Sequence, residues 1–391
     1  MDFHNSFSKV YGSKEHTRTF FAPGRVNIIG EHTDYNGGYV MPLTISKGGW
    51  LTLRPLKEKK LRIAATAFPD QKIIEYHLSD LPETPPQNFS KYIVGMLNLL
   101  GQRGEELTQG LELTVDSNLP IASGLSSSHA LMVASGIAFL ALMGKDFDSP
   151  TARKQIALLT QRCENEYIGV SSGIMDGYSI ALGRKDEAIL LNTDMLKENR
   201  LPFKLEDYTL WIVDSGIKRE LATSVYNDRV RECRKALEFI REAGGDFASL
   251  TAAAMHEGAD WLGSIPDAIV KRRARHVFSE NSRVHLAYQH ILKGDIEALG
   301  PLLNQSHFSL RDDYQVSSEE LNFLTDLCRE QGAIGARLTG AGFAGSIIAL
   351  FAANLGETAL QTIAVKYKER FGIDSFYFPY EGGEAGEVRR E

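Results

Sequence analysis

Apolar side chains along this chain recur at two periods, and the places where one gives way to the other mark out its elements. Thr17 to Ala22 reads as a short strand, and Tyr39 to Pro55 and Leu61 to Ala65 continue as β-branched and apolar strands, with Lys47-Gly48-Gly49 as an interruption or turn. Phe89 to Leu100 carries apolar residues at helical spacing, and Leu111 to Val115 alternates like a strand. Ala130 to Met143 is almost wholly apolar, the pattern of a helix buried on every side. Ser149-Pro150 sets a capping residue ahead of a proline at the first helical position, which predicts a helix from there to about Tyr167. Ala188 to Asn192 and Tyr208 to Val213 read as strands, and the polar stretch Met195 to Glu206 between them is the candidate domain junction. Leu221 to Ala243 reads as a long amphipathic helix, most of Phe247 to Leu303 as helical, and Ala336 to Leu338 and Ser346 to Phe351 as strands. The basic run Lys271-Arg272-Arg273-Ala274-Arg275-His276 reads as a solvated helix face.

Composition narrows the class of molecule. At 391 residues the chain exceeds the ~250–300 at which a single core stops growing, so two domains are expected. The formal net charge of -7 argues against a nucleic-acid or anionic-membrane partner, yet leaves room for a phosphorylated small molecule at a locally positive site. Cys163, Cys233 and Cys328 are too scattered for a disulfide framework or a zinc cluster and read as reduced core thiols. The first residues lack the basic and apolar regions of a signal peptide, and the longest apolar run falls short of the ~18 residues of a membrane span, so a cytoplasmic protein is expected.

Four loops carry candidate chemistry. Pro120 to Ala130 sets Gly124 and the hydroxyls of Ser126, Ser127 and Ser128 just ahead of the apolar helix. Unpaired N–H groups and the peptide dipoles make such a helix start an anion site; the serines read equally well as a plain N-cap. No lysine follows the glycine, so this is no Walker loop. Pro23 to Gly38 packs Arg25, Glu31, His32 and Asp34 among the apolar Val26, Ile28 and Ile29. Those apolar residues would anchor the loop while the polar ones face a cleft suited to a ligand with several hydroxyls, such as a sugar. Glu164 and Glu166 stand near a helix end, where carboxylates oppose the dipole and a nearby cation, a metal among the candidates, would offset them. Gly173 to Gly177 holds Asp176, read either as a helix cap or as a catalytic acid. Gly340 to Gly345 matches G-x-G-x-x-G literally, but a strand rather than a helix follows, which rules out a dinucleotide fingerprint.

Together these loops resemble the GHMP kinase family, and within it the galactokinase branch, along nearly the whole chain. Gly24 to Tyr35 is similar to the branch's sugar signature almost letter for letter; Ser126 to Ser128 resemble the family's phosphate loop, Gly173 to Asp176 its catalytic loop and Thr339 to Gly345 its third motif. Ser306 to Asp312 and Tyr226 to Arg229 also resemble segments of that branch. The resemblance implies an α+β, two-domain GHMP kinase fold: a ribosomal-protein-S5-domain-2-like mixed sheet with helices over 1–203, a ferredoxin-like domain over 204–391, and the active site in the cleft between them. It implies transfer of the γ-phosphoryl group of ATP, with Mg²⁺, to the anomeric hydroxyl of galactose. Asp176 would be the base and Arg25 would stabilise charge; Glu31, His32, Asp34, Gly173 and Tyr226 would contact sugar along with Arg25 and Asp176. Gly124, Leu125 and Ser126 to Ser128 would hold phosphate, Phe89 and Tyr92 would flank adenine, and Ser128 and Glu164 would hold Mg²⁺. No nucleic-acid or membrane partner is expected, and the oligomeric state is open.

The chain departs from the pattern at Ala122-Ser123, at His129 in place of alanine, at Gly177 in place of glutamine, and at Ala341 and Ala344 in place of glycines. A Cβ at the last two is tolerated where φ is negative and strained where it is positive. These departures keep a kinase for N-acetylgalactosamine, arabinose or another related sugar in view, and a non-catalytic sugar-responsive regulator beside it; the presence of Arg25, Ser126 to Ser128 and Asp176 favours catalysis.

Overall fold

In the computed structural model, residues 6–66, 72–120, 122–217, 222–256 and 259–388 are described. The first five residues, Ile121 of the serine loop and Leu221 at the expected helix start lie outside them.

After a short helix α1 (Ser6–Tyr11), the first half builds strands β1 (Arg18–Asn27), β2 (Tyr39–Val40), β3 (Pro42–Leu56), β4 (Lys60–Ala65) and β5 (Ile74–His77). Helix α2 (Ser90–Gly101), strand β6 (Gly110–Ser117) and helices α3 (Ser127–Leu142), α4 (Pro150–Arg162) and α5 (Met175–Leu182) follow, then strands β7 (Glu187–Asn192) and β8 (Lys197–Pro202). The second half runs β9 (Tyr208–Asp214), α6 (Ala222–Glu242), α7 (Leu250–Ala254), α8 (Ala268–Leu292), α9 (Leu299–Ser309), α10 (Glu319–Glu330), β10 (Gly335–Leu338), β11 (Ser346–Ala352), α11 (Gly356–Phe371), β12 (Phe376–Pro379) and β13 (Gly386–Glu387).

The main sheet is mixed, in the order β13-β1-β3-β6-β4-β5, with β4 and β6 parallel and the other pairs antiparallel. A second, antiparallel sheet runs β10-β11-β9-β12. Its strands and crossing helices follow the β-α-β-β-α-β plan of a ferredoxin-like unit, as the resemblance implied. Helix α3 is apolar all round because it packs on β1 and β3 beneath α2, α4 and α5, and its residues from His129 to Leu140 are buried. Ser149 caps α4 as expected, its hydroxyl accepting from the Ala152 amide.

The structure redraws several local expectations. Strand β1 does not end at Ala22 but runs on through Pro23 and Gly24 to Asn27, with a register irregularity against β3 between Pro23 and Arg25. A Cβ on Gly24 would stand 2.7 Å from the Leu125 carbonyl, so glycine alone lets the serine loop lie against this strand. Lys47-Gly48-Gly49 is no turn: β3 continues through it, and Gly48 is needed because a Cβ there would overlap the Ala22 carbonyl and the Phe21 ring. The polar stretch Met195 to Glu206 contains β8, which pairs with β7 from Asn192↔Lys197 to Glu187↔Pro202. Strand β13 returns to the first half, where Phe20 and Phe21 pair with Glu387 and Gly386. Among the described residues no helix is long and apolar enough to cross a membrane.

Candidate active site

Four chain segments converge where β1 ends, and their charges find partners there. Arg25 is 4% exposed and grips Asp176 with two parallel bonds, Nε to Oδ1 at 2.7 Å and Nη2 to Oδ2 at 2.8 Å, while Nη1 donates to the Gly124 carbonyl at 2.7 Å. The Asp176 carboxylate also accepts from the Ser126 hydroxyl. Asp176 is not a helix cap; it lies inside the first turn of α5, behind Ile174 at the cap position. Burial alone would raise its carboxyl, and Arg25, with His129 and the bonds from Arg25 and Ser126, outweighs that and holds it below the usual carboxylate range.

Ser126 occupies the N-cap position of α3 in a left-handed conformation, φ 64°, but caps nothing, since its hydroxyl is turned to Asp176. The plain-cap reading of the three serines therefore fails. No side chain caps α3, and its start faces the same cleft as Ser127, Ser128 and Gly124.

The sugar-signature loop supplies the opposite wall. Asp34 accepts from the Met175 amide at 3.4 Å, and burial, with the charge of Asp176 next, pushes its carboxyl up to about 7. Gly173 is glycine because a Cβ there would overlap the Asp34 carboxylate. Glu31, 1% exposed, accepts from the Gly340 amide at 2.8 Å and the Thr339 hydroxyl at 3.2 Å, and stands 2.7 Å from Arg337 Nη2. It thereby ties the Gly30 to Gly38 loop to the glycine-rich turn. His32 Nε2 donates to the Ala341 carbonyl at 3.2 Å, which can only accept, and Nδ1 stands 2.7 Å from the Tyr35 hydroxyl. The Tyr226 ring packs on His32 and Tyr35 with centroids 5.6 and 5.5 Å away.

Of the residues singled out in the sequence, Arg25, Glu31, His32, Asp34, Gly124, Ser126, Ser127, Ser128, Glu164, Gly173, Asp176 and Tyr226 line this one cavity. The Leu125 side chain is buried away from it, and only its carbonyl takes part, accepting from the Arg25 amide at 3.2 Å. Phe89 and Tyr92 do not line the cavity but pack half-buried against the first core. Burial, and then the charge of Glu164, raises the Tyr92 hydroxyl to about 12. Glu166, exposed, pairs with Arg162 at 2.9 Å, whereas Glu164 turns inward to His129.

Beneath the Gly30 to Gly38 loop lies a buried layer that local patterning concealed. The basic run on α8 is a solvated face only in part: Arg275 is exposed, but Arg273 is 2% exposed and bonds Glu232, the Asp313 carbonyl and Gln315, and His276 is fully buried. Burial lowers His276 to about 4, so it is neutral at pH 7 and donates from Nε2 to the Glu31 carbonyl at 3.0 Å. Glu280, also fully buried, accepts from the amides of Gly30 at 2.9 Å and Glu31 at 3.3 Å, from Ser306 at 2.7 Å and from Arg283 at 2.7 Å. Only the helical spacing of His276 and Glu280, one turn apart, hinted at this inward face.

Comparison with known proteins follows this geometry. The galactokinase galactose-binding signature matches residues 5–55, the GHMP kinases N-terminal domain residues 91–184 and the GHMP kinases C-terminal domain residues 287–370. A galactokinase of Enterococcus faecalis is 36% identical over 377 residues, 96% of each chain, and one of Lactococcus lactis is 37% identical over 373 residues, 95% of this chain and 92% of the other. The crystal structure of Lactococcus lactis galactokinase complexed with galactose superposes with a TM-score of 0.91 at 35% identity, covering 98% of both chains. Methanococcus jannaschii mevalonate kinase shares the fold, with a TM-score of 0.63 at 19% identity over 94% of this chain.

Proposed function

Since the chain belongs to the galactokinase family of GHMP kinases, we propose that Arg25 and Asp176 are the pair at which it transfers the γ-phosphoryl group of ATP to galactose. The protein is an ATP-dependent galactose kinase that yields galactose 1-phosphate. The observation that carries the assignment of roles is the two-pronged Arg25–Asp176 contact beside the uncapped start of α3. A panel of sugars with ATP, followed by ADP release, tests it: galactose should be turned over far faster than glucose, and silence towards galactose would refute the reading.

Phosphoryl transfer passes through a loose transition state, so the chain's work is positioning and charge neutralisation. The free amides at the start of α3 and the hydroxyls of Ser127 and Ser128 receive phosphate oxygens. Asp176 orients the attacking hydroxyl and takes its proton as the bond forms; held below the ordinary carboxylate range by Arg25, it is a weak base suited to a late proton transfer. Arg25, already charged and immobile, neutralises the oxygens in flight without reorganising. Asp34, Glu31, His32 and Tyr226 hold the remaining sugar hydroxyls. We read residues 1–203 and 204–391 as the two domains that bring these parts together, with β13 crossing back to the first.

Among the described residues no group of three or more His, Cys, Asp or Glu side chains is arranged to hold a metal alone. Ser128 and Glu164 nevertheless place two oxygen donors on the cleft, the donor type of a Mg²⁺ ion that draws its other ligands from phosphates and water. Ser128 and Glu164 would hold that ion, and it would supply positive charge against the phosphates. Replacing Ser128 with alanine should raise the Mg²⁺ concentration for half-maximal rate by about tenfold, comparable to loss of one supporting ligand; an unchanged Mg²⁺ titration would free Ser128 of the role. The cysteines are all free and buried, which agrees with a cytoplasmic setting.

A pH effect follows from Asp34. Its carboxyl, raised to about 7, is protonated below that pH and ionised above it. The ionised form offers every lone pair to donating sugar hydroxyls, so kcat/KM for galactose should fall as pH drops through about 7. In Asp34→Asn that acid limb should flatten while the galactose KM rises; a limb that persists would point to another group.

A further inference from the structure

His129, the third residue of α3, turns its ring into the cleft between two carboxylates. Its side chain is 4% exposed, with Nδ1 3.6 Å from Asp176 Oδ2 and Nε2 3.5 Å from Glu164 Oε2. Nε2 is buried and has no hydrogen-bond partner among the described residues. A buried polar atom left in that state is costly, and native structures rarely keep one without a use. With Nδ1 turned towards Asp176, Nε2 faces the Glu164 carboxylate across a gap of 3.5 Å that no hydrogen bond closes.

A cation fills such a gap. Adjacent ligands of one octahedral ion with bonds of about 2.1 Å stand about 3 Å apart, so a shift of about half an ångström would bring Nε2 and Oε2, now 3.5 Å apart, onto one ion. The far side of the ring agrees, because metal-bound histidines are held in orientation by a carboxylate at the other nitrogen, here Asp176. We propose that His129, through Nε2, is a direct ligand of the divalent cation that accompanies the nucleotide, shared with Glu164, and that this biases the site from Mg²⁺ towards a transition-metal dication such as Mn²⁺. Mg²⁺ favours oxygen donors, whereas imidazole nitrogen suits first-row transition ions. The inference rests on the reading of this cleft as the nucleotide site. It also gives the departure at position 129 a purpose: the ring couples the cation mechanically to the carboxylate that receives the proton.

Pulsed electron paramagnetic resonance of Mn²⁺ bound to the full chain with galactose and a ¹⁵N-labelled, non-hydrolysable ATP analogue reads the ligand directly. The expected result is ¹⁴N modulation of the imidazole type in the wild-type protein, absent in His129→Ala. Mn²⁺ affinity of the nucleotide complex should fall about tenfold in His129→Ala and in a second variant, His129→Asn, with Mg²⁺ affinity changing less than about threefold. Mn²⁺ bound with the nucleotide but showing no ¹⁴N coupling in the wild-type protein, or coupling that survives His129→Ala, would overturn the histidine ligand and leave the kinase reading intact. Failure of the wild-type protein to bind the Mn²⁺–nucleotide pair at all would overturn both.

Discussion

Asp176→Asn should cut kcat by about a hundredfold or more while ATP and galactose still bind, the loss expected when a group that accepts a proton in the transition state is removed. Two effects add. The amide cannot take the proton from the attacking hydroxyl. It also turns an NH₂ group towards one of the two Arg25 donors now at 2.7 and 2.8 Å, and leaves an almost fully buried guanidinium without its counter-charge. Asp176→Glu separates the two: it restores the charge beside Arg25 and misplaces the oxygen, so ATP and galactose should bind as in the wild type while turnover stays low. Calorimetric titration with nucleotide and sugar, set beside steady-state kcat, checks both variants. Wild-type turnover in Asp176→Asn would remove the residue from the mechanism.

Glu280→Gln should lower stability by about 3–5 kcal/mol, the cost of breaking a buried ion pair from one side. Burial alone would raise the Glu280 carboxyl, but Arg283, His276 and Arg337, with the Ser306 hydroxyl, overcome it and hold the group at about 2 against an ordinary 4.5. A folded-state value below the unfolded one means stability fully present above about 4.5 and lost as pH falls towards 2. The difference of two to three units corresponds to roughly 3 kcal/mol, in line with the mutational figure. Urea denaturation at pH 7 should therefore separate wild type from Glu280→Gln widely, and the two curves should converge as pH is lowered through 4. Because Glu280 also receives the Gly30 and Glu31 amides, the variant should raise the galactose KM; a stable variant with unaltered KM would reduce Glu280 to a spectator.

What the sequence disclosed was the part written locally. The unbroken apolar run of α3, the Ser149-Pro150 cap and the glycines around position 340 each dictate a conformation within a few residues. Gly340, Gly342 and Gly345 adopt positive φ, as does Phe343, while Ala341 and Ala344 do not, so the two alanines carry no backbone strain. What it concealed depended on distant partners. Pro23-Gly24-Arg25 reads as the start of a loop, yet the strand passes through it because Asp176, some 150 residues on, neutralises the arginine. Strand β8 hides in a polar stretch because only Leu201 of its residues is buried, the others being exposed or half-covered against one neighbour, β7. Arg273 and His276 belong to a charge run by composition and to the interior by virtue of Glu232, Gln315 and the Glu31 carbonyl, none of which a window along the chain contains. Gly177 is likewise explained only by packing, since a Cβ there would overlap the Thr160 hydroxyl on α4.

The return of residues 386–387 to the margin of β1 bears on how the molecule is made. During synthesis the strand that bears Arg25 leaves the ribosome well before β13, and its outer row of amides and carbonyls stays open until more than 350 further residues have been added. An open margin of that kind recruits strands from other nascent chains. Until β13 arrives, pairing between neighbouring nascent chains competes with folding at that margin.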